Sequence, residues 1–125
     1  MNYSLAIPIP ASVWLSANDR RHYMDRARRT AQLRVLGDYA ARTTRYRPTR
    51  WPVHVTATIA YPARVGRADP ANAAPTVKAL IDGMTGHLWP DDDSAHIDAI
   101  TYRRDPDPAT VPGTHQITIT ITEPD

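Results

Sequence analysis

The sequence predicts a single small α/β domain of the α+β type, in the order β-α-β-α-β-β, with two helices packed on one mixed or antiparallel sheet. Residues 53–61 and 115–122 alternate apolar and polar side chains and are rich in β-branched residues, which is typical of half-buried strands. Residues 20–43 and 75–84 instead repeat apolar residues at the spacing of an amphipathic helix. A chain of 125 residues supports one hydrophobic core, so we expect residues 1–125 to form one domain.

The first half of the chain begins with a predicted strand and a long predicted helix. Residues 3–9 form the strand, with Pro8 near its end or on a sheet edge, where a missing N–H is tolerated. The helix within 20–43 is indicated by apolar residues at the helical period: Met24, Ala27, Ala31, Val35, Leu36 and Tyr39. Three residues are candidate N-caps: Ser16, Asn18 and Asp19. Gly37 weakens this helix without ending it.

The second half contains the shorter predicted helix and three of the predicted strands. Strand 53–61 is followed by a loop of more than ten residues, a length that suggests a function. The helix 75–84 has one apolar face, formed by Val77, Leu80, Ile81 and Met84. Pro75 lies in its first turn, where proline is permitted. Residues 97–104 and 115–122 then read as the last two strands.

Charge is divided unevenly along the chain, although the formal net charge is only +2. Residues 1–67 carry twelve Arg and no Lys against three Asp, a charge of +9, whereas residues 68–125 carry three basic and ten acidic residues, a charge of −7. An Arg-rich segment suits a polyanion, because the guanidinium fork matches phosphate in a bidentate geometry. The alternative is that the two halves only neutralise each other across the fold.

Composition excludes several classes of function. The chain has no Cys, which excludes disulfides and thiolate sites, and its five His lack the spacing of a zinc enzyme. Residues 1–10 lack the basic region and cleavage site of a signal peptide. No apolar run approaches the ~20 residues that span a membrane. We therefore expect a cytoplasmic protein with no membrane partner and no nucleotide cofactor.

Three adjacent carboxylates, Asp91, Asp92 and Asp93, follow a Trp-Pro pair in the loop after the second helix. Adjacent like charges repel by ~1 kcal/mol at 4 Å in water, so the cluster is either a solvated turn or a site neutralised by a cation. Asp69 and Asn72 lie in the loop that enters the same helix, and Lys78 and Asp82 are four residues apart on it. If the leaving loop folds back along the helix, these residues form an oxygen-only site of the kind that Mg²⁺ prefers. Such an ion polarises a phosphodiester and activates water, with Lys78 as a point charge on the phosphate.

The run ADPANAAPTVKALIDGM…LWPDDDS resembles the RusA family of Holliday-junction resolvases. The family signature is an Asp-x-Asp-Asn loop, a Lys that opens a helix, an Asp four residues later and a subsequent Asp-Asp pair. The N-terminal part is similar in element order, with Pro8 and Pro10 ending a strand and with Asn18, Arg20 and Tyr23 preceding a basic helix. The resemblance implies a homodimeric, Mg²⁺-dependent endodeoxyribonuclease of bacteria and phages that resolves four-way DNA junctions by paired symmetric incisions in recombination and repair. Mn²⁺ is a possible substitute for Mg²⁺.

Two departures from the family pattern concern the metal ligands. Ala71 stands where the family has its second loop aspartate, and three additional residues separate Asn72 from Lys78. The later cluster contains three aspartates where the family has two, and either adjacent pair could match. One interpretation is that the third aspartate replaces the missing ligand, and the other is that the site has lost a ligand and binds metal poorly.

The resemblance also implies roles for individual residues. The predicted catalytic residues are Asp69, Lys78, Asp92 and Asp93. The predicted metal ligands are Asp69, Asp91, Asp92 and Asp93, supported by Asn72 and Asp82. The predicted DNA contacts are Asn18, Arg20, Arg21, Arg26, Arg28, Arg29 and Arg34. Phosphate contacts position DNA without reading its sequence, so no cleavage-site preference follows.

Each of these features also has a simpler interpretation. Lys78 and Asp82 are consistent with an ordinary surface ion pair, and the Arg-rich helix with a solvated basic face. Trp14, Trp51 and Trp89 are candidates for base stacking, although packing is the commoner role of Trp. The alternative functions are a branched-DNA-binding protein that lacks catalysis, or a small interaction module with no nucleic-acid role.

Overall fold

The computed structural model describes residues 2–66 and 68–125, and it confirms the predicted α+β class and the order β-α-β-α-β-β. The elements are β1 (Asn2–Ile9), α1 (Tyr23–Thr43), β2 (Val53–Ala60), α2 (Ala74–Met84), β3 (Ile97–Arg104) and β4 (His115–Thr122). A short 3₁₀ helix, Pro70–Ala73, precedes α2 and was not predicted. Among the described residues, no helix is both long and apolar enough to cross a membrane.

The four strands form one mixed sheet in the order β1-β4-β2-β3. β4 pairs antiparallel with both β1 and β2, whereas β2 and β3 run parallel, joined by the crossover through α2. β1 is an edge strand, so the prediction that Pro8 lies near the end of a strand or on an edge is confirmed.

The core lies between one face of the sheet and the helices. Alternate residues of β2 and β4 are fully buried on this face, namely Val53, Val55, Ala57, Ile59, Ile117, Ile119 and Ile121. The predicted apolar face of α2 is also buried there. Trp89 is only 1% exposed, and its indole N–H donates to Thr85 Oγ1 at 3.2 Å, so this Trp packs in the core.

α1 does not bury the stripe of apolar residues that predicted it. Met24, Val35 and Tyr39 are 64%, 65% and 60% exposed, and the residues that are buried instead are Arg29, Leu33, Gly37 and Ala41. The reason is a close crossing with α2. A Cβ at Gly37 would overlap the Leu80 carbonyl, and a Cβ at Gly83 would overlap the Arg34 carbonyl, so the two glycines set which face of α1 is turned inward.

The predicted start of α1 is also corrected. None of Ser16, Asn18 and Asp19 caps the helix. The side chain of His22 accepts the Met24 N–H at 3.2 Å. Asp19 instead accepts the backbone N–H and Nε–H of Arg21 at 2.9 and 3.0 Å, which stabilises a turn before the helix.

Candidate functional site

The loop that enters α2 is held by short polar contacts at the 3₁₀ helix. The Asp69 carboxylate accepts the Ala71 N–H at 2.9 Å and caps this helix, and Pro70 and Pro75 occupy first-turn positions that need no N–H donor. The Asp69 side chain is exposed to solvent. Arg104 anchors the preceding loop by donating to the carbonyls of Gly66 and Val65 at 2.6 and 3.2 Å.

The segment before α1 docks on the beginning of α2. The buried Thr76 hydroxyl accepts the Leu15 N–H at 2.9 Å and donates to the Leu15 carbonyl at 2.7 Å. The Ala17 N–H donates to the Asn72 carbonyl at 2.8 Å. These bonds bring the segment with Asn18 and Arg20, both exposed, next to the entrance of α2, although the two regions are about fifty residues apart in sequence.

The loop that leaves α2 folds back along the helix, which is the condition that the predicted site requires. Buried Trp89 anchors the loop, and its carbonyl accepts the Gly86 N–H at 2.7 Å. Further along, the Lys78 ammonium donates to Asp92 Oδ2 at 2.7 Å and to Asp82 Oδ1 at 2.9 Å. Residues from two successive turns of α2 and from the Asp-rich loop therefore share one cluster, which we call the Lys78 cluster: Lys78, Asp82 and Asp92.

The Lys78 cluster holds one ammonium between two carboxylates, and it remains open to solvent. The side chain of Lys78 is 61% exposed, against 27% for Asp82 and 28% for Asp92. The hydrogen bonds to Asp82 and Asp92 raise the pKa of Lys78, and the bond from Lys78 lowers the pKa of Asp92. A guanidinium nitrogen of Arg34 on α1 lies 3.8 Å from Asp82, so a second cation lies beside this carboxylate.

The other predicted ligands point elsewhere in this arrangement. The Asp93 carboxylate contacts His96 Nδ1 at 2.7 Å, and Asp91 accepts the Asp92 N–H at 2.8 Å. Within residues 2–66 and 68–125, no group of three or more His, Asp or Glu side chains lies close enough to hold a metal ion. The carboxylates are the donor type that Mg²⁺ prefers. In this arrangement, however, Asp69 and Asp91–Asp93 do not form a Mg²⁺ site, since the Asp92 carboxylate is already paired with Lys78. Mg²⁺ binding therefore stays a prediction.

The predicted DNA-contacting arginines divide into three groups. Arg20 and Arg26 are exposed, as is Arg34 beside Asp82. Arg21 and Arg28 are also exposed but bind Asp19 and Asp25 at 3.0 and 2.8 Å.

Arg29 corrects the prediction. It is only 8% exposed, and its guanidinium binds Asp25 at 2.9 Å and the carbonyls of Ala11 and Trp14 at 3.0 and 3.1 Å. Arg29 therefore joins the N-terminal loop to α1 and is not available to a DNA backbone.

An aromatic pocket beside Asn72 was not predicted from the sequence. It has a volume of about 300 Å³ and is lined in part by Trp14, Tyr61 and His115, whose rings pack together, with Trp14 and His115 stacked at 3.6 Å. Burial lowers the pKa of His115 to about 4, which keeps its imidazole neutral. No local spacing connects these residues, since they come from three distant segments.

Neither a scan against protein-family models nor a search of curated proteins finds a match for this chain.

Proposed function

We propose that the protein is a divalent-cation-dependent, structure-specific endodeoxyribonuclease that acts as a homodimer on four-way DNA junctions in the cytoplasm. The observation that carries the proposal is the Lys78 cluster. An ammonium and two carboxylates meet on an open surface because the Asp-rich loop folds back along α2. An ordinary surface ion pair would join only Lys78 and Asp82 on the same helix. The additional bond to Asp92, from the following loop, supports the interpretation of this sequence pattern as a functional site.

Lys78 and Asp92 have complementary roles in the proposal. The exposed ammonium of Lys78 is available to a phosphate oxygen, on which it stabilises developing negative charge. Asp82 and Asp92 orient the ammonium and keep it protonated, because both raise the pKa of Lys78. The exposed Arg20 and Arg26 supply contacts to the DNA backbone around this site.

The deciding experiment is incision of a synthetic four-way junction at low salt with Mg²⁺, with Mn²⁺ and with a chelator, beside a linear duplex of matched sequence. We expect paired, symmetric, cation-dependent nicks in the junction only. Lys78→Met should reduce the incision rate by ~100-fold or more, which is the scale for losing one stabilising group in a transition state. Asp69→Asn, and Asp92→Asn combined with Asp93→Asn, should abolish it.

Asp98→Asn is the matched control, because Asp98 is an exposed carboxylate on β3 that belongs neither to the Lys78 cluster nor to the predicted metal ligands. It should leave incision unchanged. Full activity in the Asp69 and Asp92/Asp93 variants would refute the assignment of the site.

A second candidate is a branched-DNA-binding protein of the same fold without catalysis. It is favoured by the engagement of Asp92 with Lys78 and by the absence of a gathered metal-ligand group among the described residues. It predicts junction binding that is strong at low salt, together with no nicks under any of the three cation conditions. The same experiment therefore separates the two candidates.

A further inference from the structure

The strand β1 presents an unusual free edge. Among the residues that the structure describes, β4 is the only strand that pairs with it. Proteins commonly protect long edge strands with charged residues, yet Asn2–Ile9 contains none, and Pro8 interrupts only the end of the strand. The six residues before Pro8 thus offer an uncharged template for another strand.

An apolar groove runs along this free edge beneath α1. It has a volume of about 450 Å³, and its lining includes Leu5 and Ile7 of β1 together with Leu36, Tyr39 and Ala40 of α1. α1 packs mainly on α2 and touches β1 little, so the groove between α1 and β1 stays open. Tyr39 accordingly remains 60% exposed. The groove thus adjoins the free edge of β1, at which one more strand can pair.

We propose that this groove is filled by β1 of a second copy of the chain, paired antiparallel about a two-fold axis. The two four-stranded sheets would then form one continuous sheet with the helices of both copies on the same side. Tyr3, Leu5, Ile7 and Ile9 alternate toward the helix layer. If the two β1 strands pair with odd-numbered residues opposite odd-numbered residues, all these side chains lie on the helix side of the continuous sheet. The surface is then self-complementary, as a two-fold interface requires.

The size of the surface is consistent with a stable dimer. Eight strand residues at about 3.4 Å each give a length of about 27 Å, and the sheet and helix layers together are about 20 Å deep. The projected area, roughly 500 Å², is of the same order as the ~800 Å² of accessible surface that each partner buries in a typical stable complex. The proposal locates the dimer contact assumed in the proposed function, but it is tested without DNA, so either can fail independently.

The test is sedimentation equilibrium of the full chain and of two variants. The wild type should have twice the monomer mass of 13.9 kDa. Ala6→Lys places like charges on the two paired strands, and Tyr39→Lys places a charge in the groove. Both positions are exposed in the single copy, so both variants should fold, with unchanged circular dichroism, and sediment as monomers.

Val111→Lys is the matched control, since Val111 is 54% exposed but lies in the loop between β3 and β4, outside the groove. It should remain dimeric. Hydrogen exchange gives a second measurement: amides of β1 should exchange more slowly in the wild type than in Ala6→Lys. A monomeric wild type, or folded dimers of both variants, would overturn the proposal.

Discussion

Arg29 has a structural role in the fold that its position in the sequence does not reveal. In the sequence it is one of ten arginines between positions 20 and 50, and nothing local separates it from its neighbours. In the fold, its three hydrogen-bond partners lie in the N-terminal loop and on α1, so burial of its charge is compensated. Which arginine is buried depends on the docking of residues that are fifteen or more positions away, and residue spacing does not reveal this.

Glu123 provides a prediction about pH dependence at the same scale. It is 8% exposed and accepts the Tyr46 hydroxyl at 2.7 Å and the N–H groups of Thr49 and Arg50 at 3.0 Å. The bond from Tyr46, followed by that from Thr49, lowers the pKa of Glu123 from 4.5 to about 2. The folded state therefore binds fewer protons than the unfolded state in this range, so Glu123 stabilises the fold above pH 4.5, and this contribution is lost as the pH falls toward 2.

Glu123→Gln should reduce the free energy of unfolding at pH 7 and flatten its decline between pH 4.5 and 2. Urea unfolding at several pH values measures both effects. Asp98→Asn, at an exposed carboxylate, serves as the control and should keep the wild-type profile. An unchanged slope in Glu123→Gln would mean that other carboxyl groups cause the acid sensitivity.

At the scale of elements, the crossing of α1 and α2 depends on two glycines. Gly37→Ala or Gly83→Ala would force a Cβ into a backbone carbonyl of the opposite helix. Alanine favours a helix by about 1 kcal/mol over glycine, but backbones cannot yield as side chains do. We therefore expect a net loss of about 1–3 kcal/mol in the free energy of unfolding, measured by chemical denaturation.

Gly66→Ala is the matched control for the glycine prediction, because a Cβ at Gly66 would meet nothing within 4 Å. Its stability should equal or exceed that of the wild type. If the two helix variants were as stable as this control, the close approach of the helices would not limit the packing.

An element can be predicted from the sequence when the residues that determine it lie close together along the chain. The bounds of β3 and β4 were predicted correctly, since alternation and flanking prolines act within a few residues. The buried face of α1 was not, because it depends on two glycines that meet only in the tertiary structure. Similarly, the spacing of Lys78 and Asp82 predicted their ion pair, whereas the approach of Asp92 depends on the fold of the loop around Trp89.

At the scale of the whole molecule, the basic and acidic halves of the chain do not simply cancel. Some arginines in α1 and in the segment just before it bind nearby aspartates of the same half, including Arg21 and Arg28, while Arg20 and Arg26 remain exposed. Under the proposed function, junction affinity should fall linearly in the logarithm of the salt concentration, and Arg26→Gln should reduce that slope by about one.

Fluorescence titration of a labelled junction at several salt concentrations measures this slope. Val111→Gln, which changes an exposed residue without removing a charge, should leave the slope unchanged. An equal slope for Arg26→Gln and the wild type would show that Arg26 does not contact the DNA backbone.

The position of β4 has a consequence for biosynthesis. β4 is the last of the four described strands in chain order, yet it lies between β1 and β2 and is the partner of both. A nascent chain therefore holds β1 without its partner until residues 115–122 have left the ribosome. During that interval the uncharged β1 is open to strands of other nascent chains. β1 and β2 can therefore join one sheet only after β4 has been synthesised, through contacts of long sequence separation that close slowly.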